Sequence, residues 1–120
     1  MYNIDIAKNQ KYNIKIGQRG YGQTYYLRRK YLLNLNFNIN SIGFDYWILA
    51  TFKYEKKKMS MMTLYTEIAK VCNTTANRVE RAMRHSSINA KEKIKELYKY
   101  NGKISNSTIL NLLTKFPMEV

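Results

Sequence analysis

This 120-residue chain holds one cysteine, one proline, one histidine and eight acids against 21 lysines and arginines. A single cysteine, Cys72, excludes a disulfide within the chain and fits a reducing cytoplasm. Its neighbours lack the His/Cys spacing that zinc needs, so Cys72 is expected as a small hydrophobe on a packed helix face. The one histidine, His85, has no serine or cysteine nucleophile near it in a recognisable arrangement. The eight acids are scattered among bases without the spacing of a carboxylate pair. The glycine-punctuated stretch 18–23 (QRGYGQ) lacks the strand context and the lysine of a phosphate loop and reads as a connector. No catalytic constellation emerges, so no enzyme, cofactor or metal is expected. The N-terminus carries no apolar signal core, and the longest apolar stretch, residues 46–52, is far short of a membrane span. A cytoplasmic protein without membrane contact is therefore expected.

The length is that of one domain with a single modest core. The net charge of +13 favours anionic partners and opposes self-association, without choosing among DNA, RNA and an anionic membrane. The charged fraction, 24%, is ordinary, so the excess is a shortage of acids. An AT-rich coding genome yields the same abundance of Asn, Lys, Ile and Tyr without a functional demand.

The informative stretch is residues 64–87, LYTEIAKVCNTTANRVERAMRHSS. Leu64, Ile68 and Val71 recur at helical spacing, with the small Ala69 where a partner helix comes close. Asn73-Thr74 breaks that pattern, and Asn tolerates the left-handed conformation that ends a helix. Thr75 is a good N-cap for the next helix. In that second helix Ala76, Val79, Ala82, Met83 and Ser86 form a small apolar face. Asn77, Arg81 and Arg84 fall opposite, flanked by Arg78, Glu80 and His85. A packed helix that shows such a face is what the second helix of a helix-turn-helix needs: Arg pairs with guanine edges, Asn with adenine, and Glu accepts from the cytosine amino group. The same residues also make a plain amphipathic helix with a solvated face and a local Glu80–Arg84 pair.

The run EIAKVCNTTANRVERAMRH closely resembles the helix-turn-helix of the C-terminal effector domain of the master response regulator of sporulation initiation. NTTANRVERAMRH, residues 73–85, is nearly that family's signature. Weaker echoes surround it: YYLRRKYLL within residues 22–33, IKELYKY at 94–100 and SNSTI at 105–109. The likeness spans roughly residues 20–116. It implies an all-helical, sequence-specific DNA-binding domain. The family's regulator also carries an N-terminal receiver domain phosphorylated on Asp. These 120 residues leave no room for one, so phosphorelay control is not expected of them. The segment before the helix-turn-helix is longer than the family's, with the extra length near residues 51–63.

In chain order, Tyr2, Ile4 and Ile6 alternate, as do Tyr12, Ile14 and Ile16, which reads as two short strands of a hairpin. A lone hairpin is marginal in water, so it would serve as a flap on the helices or as a dimerisation element. Thr24 opens a helix reaching about Asn34, with Tyr25, Leu32, Tyr21 and Leu35 inward and Arg28, Arg29 and Lys30 crossing its surface. Residues 34–40 form a loop or short extended piece. Ser41 starts a helix over 42–54, with Trp47 in its core. Lys56, Lys57 and Lys58 form a basic run before the helix-turn-helix, suited to phosphate or simply to solvent. Beyond Ser87, Ile88 would be exposed if the helix ran on, so the helix ends or bends there. NAKE at 89–92 has capping-box form, with Ala90, Ile94, Leu97 and Tyr98 as the inward stripe. Ser105 or Ser107 caps a last helix carrying Ile109, Leu110, Leu112, Leu113 and Phe116, ended before Pro117.

The expected fold is mainly α: residues 1–19 as an extension and 20–120 as a compact helical bundle containing the helix-turn-helix. The leading function is a sequence-specific transcription regulator. The resemblance and the helical wheel together give Arg81 and Glu80 to base edges, Asn77 and Arg84 to reading or positioning, and Arg78 and His85 to the vicinity of phosphates. Thr75, Lys56, Lys57, Lys58, Arg28 and Arg29 are further phosphate candidates. The family binds short repeated boxes, which implies tandem or dimeric binding on double-stranded DNA. A different class remains open: a mobile-element accessory or inhibitor protein whose basic domain binds a protein or nucleoprotein. Nonspecific binding of RNA or single strands through Tyr and Lys is a third.

Overall fold

The computed structural model describes residues 22–115. The expected hairpin, most of the glycine-punctuated connector, Tyr21, Phe116 and Pro117 lie outside the described residues. Every regular element described is helical, as the sequence pattern requires. In chain order these are α1 (Gly22–Asn34), α2 (Ile42–Lys56), α3 (Met61–Cys72), α4 (Ala76–Ser86), a 3-10 turn (Ile88–Ala90), α5 (Lys91–Tyr98) and α6 (Asn106–Lys115).

The centre is α2. Its sequence is apolar on all sides, and residues 43–52 are buried without interruption, as befits a helix with no solvent face. α1, α3, α4 and α6 all pack on it, α4 most extensively. Trp47 and Phe37 meet edge to face at 5.5 Å, the arrangement the ring quadrupoles favour. The buried Trp47 Nε1–H donates to the Met83 carbonyl at 2.8 Å. α1 is stapled to α2 by polar groups as well as by Leu32. Tyr25 donates to Asp45 at 3.2 Å. Arg28 donates to Thr51 at 3.0 Å, pairs with Glu55 and lies 4.1 Å over the Phe52 ring. These partners satisfy a cation that burial would otherwise penalise heavily.

The helix-turn-helix is built by local chemistry. Ser60 caps α3, its hydroxyl accepting from the Thr63 N–H. Asn73 ends α3 in the left-handed region (φ 55°). The N–H groups of Asn73 and Thr74 both return to the Ala69 carbonyl, which satisfies an otherwise orphaned acceptor. Thr75 caps α4, accepting from Arg78 N–H at 3.3 Å. Leu64, Ile68, Ala69, Val79 and Met83 then meet in the core.

Three expectations are corrected. α3 begins at Met61, not Leu64, because Ser60 is its cap; Met62 and Thr63 are exposed and carry no inward periodicity. The capping box at 89–92 does not form. A 3-10 turn leads directly into α5, whose first flanking residue is Ala90, with no side-chain cap bond. Leu97 is 54% exposed, while Ala90 and Ile94 are buried; an eight-residue helix seats a narrower stripe than the periodicity suggested. Cys72 is half-buried beside the core. Ser105 is the group that caps α6, accepting from Thr108 N–H. α4 ends at Ser86, as expected, but the ending does not bury Ile88, which is 56% exposed in the turn beyond.

Candidate nucleic-acid interface

The two faces of α4 have opposite fates. Val79, Met83 and Ser86 are buried, and Ala76 and Ala82 pack partly against the core. Asn77, Arg78, Arg81, Arg84 and His85 are exposed, with Glu80 half-exposed beside them. All six residues expected on this face are therefore brought together on one helix.

The helix is held from behind along its length. The Asn106 amide donates to the Glu80 carbonyl at 3.4 Å and to the Tyr65 hydroxyl at 3.1 Å. Trp47 grips the Met83 carbonyl. Asn38 N–H donates to the Ser86 carbonyl at 2.9 Å, and the Ser86 hydroxyl returns to the Asn38 carbonyl at 3.3 Å. Between these points Gly43 of α2 lies directly beneath the α4 backbone. A Cβ there would fall 2.0 Å from the Ala82 carbonyl oxygen and 2.9 Å from Ser86 Cβ. A glycine inside a helix is costly by itself, and here only glycine permits the crossing.

On the open face, Arg84 donates to both Glu80 oxygens, at 2.9 and 3.3 Å. That bond raises the Arg84 guanidinium above its ordinary range, so it stays a cation. Behind it, burial raises the Tyr65 phenol, opposed by the hydrogen bond from Asn106; it stays neutral. The face thus offers arginine donors, one amide that both donates and accepts, one carboxylate and one imidazole.

The remaining candidates divide. Lys56 at the end of α2 and Lys57 and Lys58 in the following loop are all exposed, immediately before the Ser60 cap of α3. Thr75 is exposed, but its hydroxyl is engaged as the α4 cap. Arg28 is not on the surface: it is 8% exposed and committed to Thr51 and Glu55. This corrects its expected place in a surface triplet, because the apolar Phe52 ring and two polar partners on α2 draw it inward. Arg29 is half-buried, its guanidinium 5.2 Å over the Phe44 ring.

Gly43, Trp47, Asn38 and Asn106 are the supports that sequence reasoning did not assign to this site. Only Gly43 left a trace, as an isolated glycine inside a helical pattern. The others act across more than 20 positions of chain. Among the described residues, no cluster of His, Cys, Asp and Glu could hold a metal ion, and no helix is long and apolar enough to cross a membrane.

Against known proteins, a family model described as sporulation initiation factor Spo0A C terminal matches residues 29–115. No curated protein and no solved structure matches.

Proposed function

The chain belongs to the family of the C-terminal DNA-binding domain of sporulation initiation factor Spo0A, and we propose that it regulates transcription by reading duplex DNA sequence with α4 in the major groove. One observation carries the reading: α4 is clamped on its inner face by the core while the outer face, with Asn77, Arg78, Arg81, Arg84 and His85, is open. A reading helix needs both, since side chains can discriminate bases only from a fixed backbone.

Arg81 suits a bidentate contact to guanine, and Glu80 suits the cytosine amino group. Asn77 reads adenine or positions the helix. Arg84, already pinned by Glu80, enters as an oriented fork. Arg78 and His85 lie toward the phosphates, and Lys56, Lys57 and Lys58 supply backbone contacts ahead of α3. Binding of this kind involves no chemical step, so the protein acts as a regulator and not as an enzyme, in the compartment that holds the DNA. Two copies on adjacent repeated boxes are the expected arrangement.

Selection of random duplexes by the purified protein at physiological salt tests this, with Arg81→Ala in parallel. An enriched motif that blurs in the variant supports groove reading. Absence of enrichment by the intact protein overturns it and favours a protein or nucleoprotein partner.

A further inference from the structure

A cleft of about 340 Å³ runs along one flank of α4. Its walls come from four separate parts of the fold: Met61 and Tyr65 of α3, Glu80 and Arg84 of α4, Lys91 at the start of α5, and residues 103–107 leading into α6. Three cations, Arg84, Lys91 and Lys103, face a single carboxylate, and Arg84 already occupies both oxygens of that carboxylate. Among the described residues Arg28, Lys53 and Arg84 are each in an ion pair, while no ion pair engages Lys91 or Lys103. Neither lysine belongs to the helix-turn-helix, and they reach the cleft from 12 positions apart in the chain.

We infer that this cleft seats a phosphodiester group of the DNA strand flanking the major groove, with Lys91 and Lys103 as its counter-charges. The inference rests on the groove-reading proposal for the placement of the duplex. A concave site that sets three cations against one carboxylate keeps a net positive charge and attracts a compact anion. It shares Glu80 and Arg84 with the reading face, so a strand bordering a groove filled by α4 passes its mouth. The contact fixes register and carries no base information. Together with Lys56, Lys57 and Lys58 ahead of α3, it gives the duplex a second basic anchor drawn from the C-terminal part of the fold.

The test is a salt titration of duplex binding by the full chain, comparing the parent with the double variant Lys91→Gln/Lys103→Gln. A charge-matched control, Lys93→Gln/Lys99→Gln, removes two exposed lysines outside the cleft. Each lost phosphate contact should reduce the slope of log K against log salt by about 0.9, which at 0.15 M salt is roughly a five-fold loss of affinity. The cleft variant should therefore bind about 30-fold more weakly, with a slope shallower by about 2, and an unchanged base preference. The control should stay close to the parent, and thermal melting should be alike in all three. A cleft variant that keeps the parent's slope, or loses no more than the control, overturns the inference, as does a change in preferred motif. If the parent shows no motif yet the cleft variant still loses its slope, the groove-reading proposal fails while the phosphodiester seat stands. If the parent binds no duplex, both fall.

Discussion

α2 and α4 cross at Gly43 and Ala82, and they are opposite kinds of helix. α2 is buried on every side through residues 43–52, and its charges are confined to its ends and to the Asp45–Tyr25 contact. α4 gives three residues wholly to the core and leaves six polar ones at the surface. α2 is chosen for volume, since a close-packed interior registers each methylene. α4 has to satisfy two demands at once, and its small residues show the compromise: Ala76, Ala82 and Ser86 let it lie close on α2 and so keep the polar face rigid. The geometry of the exposed polar face is therefore set partly by packing beneath it.

The contrast is tested hardest at Gly43. Gly43→Ala puts a methyl into the Ala82 carbonyl and should cost about 3 kcal/mol of unfolding free energy, measured in urea, since backbone cannot yield as a flexible side chain does. DNA affinity should fall with it, because α4 must shift. Arg81→Ala should do the reverse. Melting should be unaltered because the residue is exposed, while discrimination at one base pair drops by about 1–3 kcal/mol in competition binding. A melting change at Arg81, or normal stability at Gly43→Ala, would dissolve the division between the two helices.

Smaller effects probe how α4 is begun and how its surface is ordered. Thr75→Ala removes the cap on the Arg78 N–H and should lower stability by about 1 kcal/mol, read by thermal melting at fixed salt. Glu80→Gln removes the carboxylate that pins Arg84. An exposed i, i+4 pair contributes only about 0.3–0.5 kcal/mol, so stability should hardly move, while the base preference should change. An equal loss across all duplexes would show instead that Glu80 does not read a base.

The helix-turn-helix was legible because its determinants are local. Asn73 in the left-handed region, Thr75 as a cap, and Val79, Met83 and Ser86 on one stripe are consequences of neighbours within four residues. Arg28 was misplaced for the converse reason. Nothing near it distinguishes a buried guanidinium from a solvated one; its partners Thr51 and Glu55 lie 23 and 27 positions away. Leu97 was misplaced because periodicity indicates which side of a helix is apolar, but not how much of a short helix reaches a neighbour.

By itself, then, the sequence determined the helical class, the turn between α3 and α4, and which side chains of α4 face away from the core, because capping and periodicity act over one or two turns. It also determined the positive charge that any partner must answer. The tertiary structure alone decided that Gly43 is the crossing point, that Trp47, Asn38 and Asn106 brace the α4 backbone, and that Lys91 and Lys103 meet Arg84 at one cleft. These are contacts between distant segments. Their existence depends on how the helices cross, which no local pattern encodes.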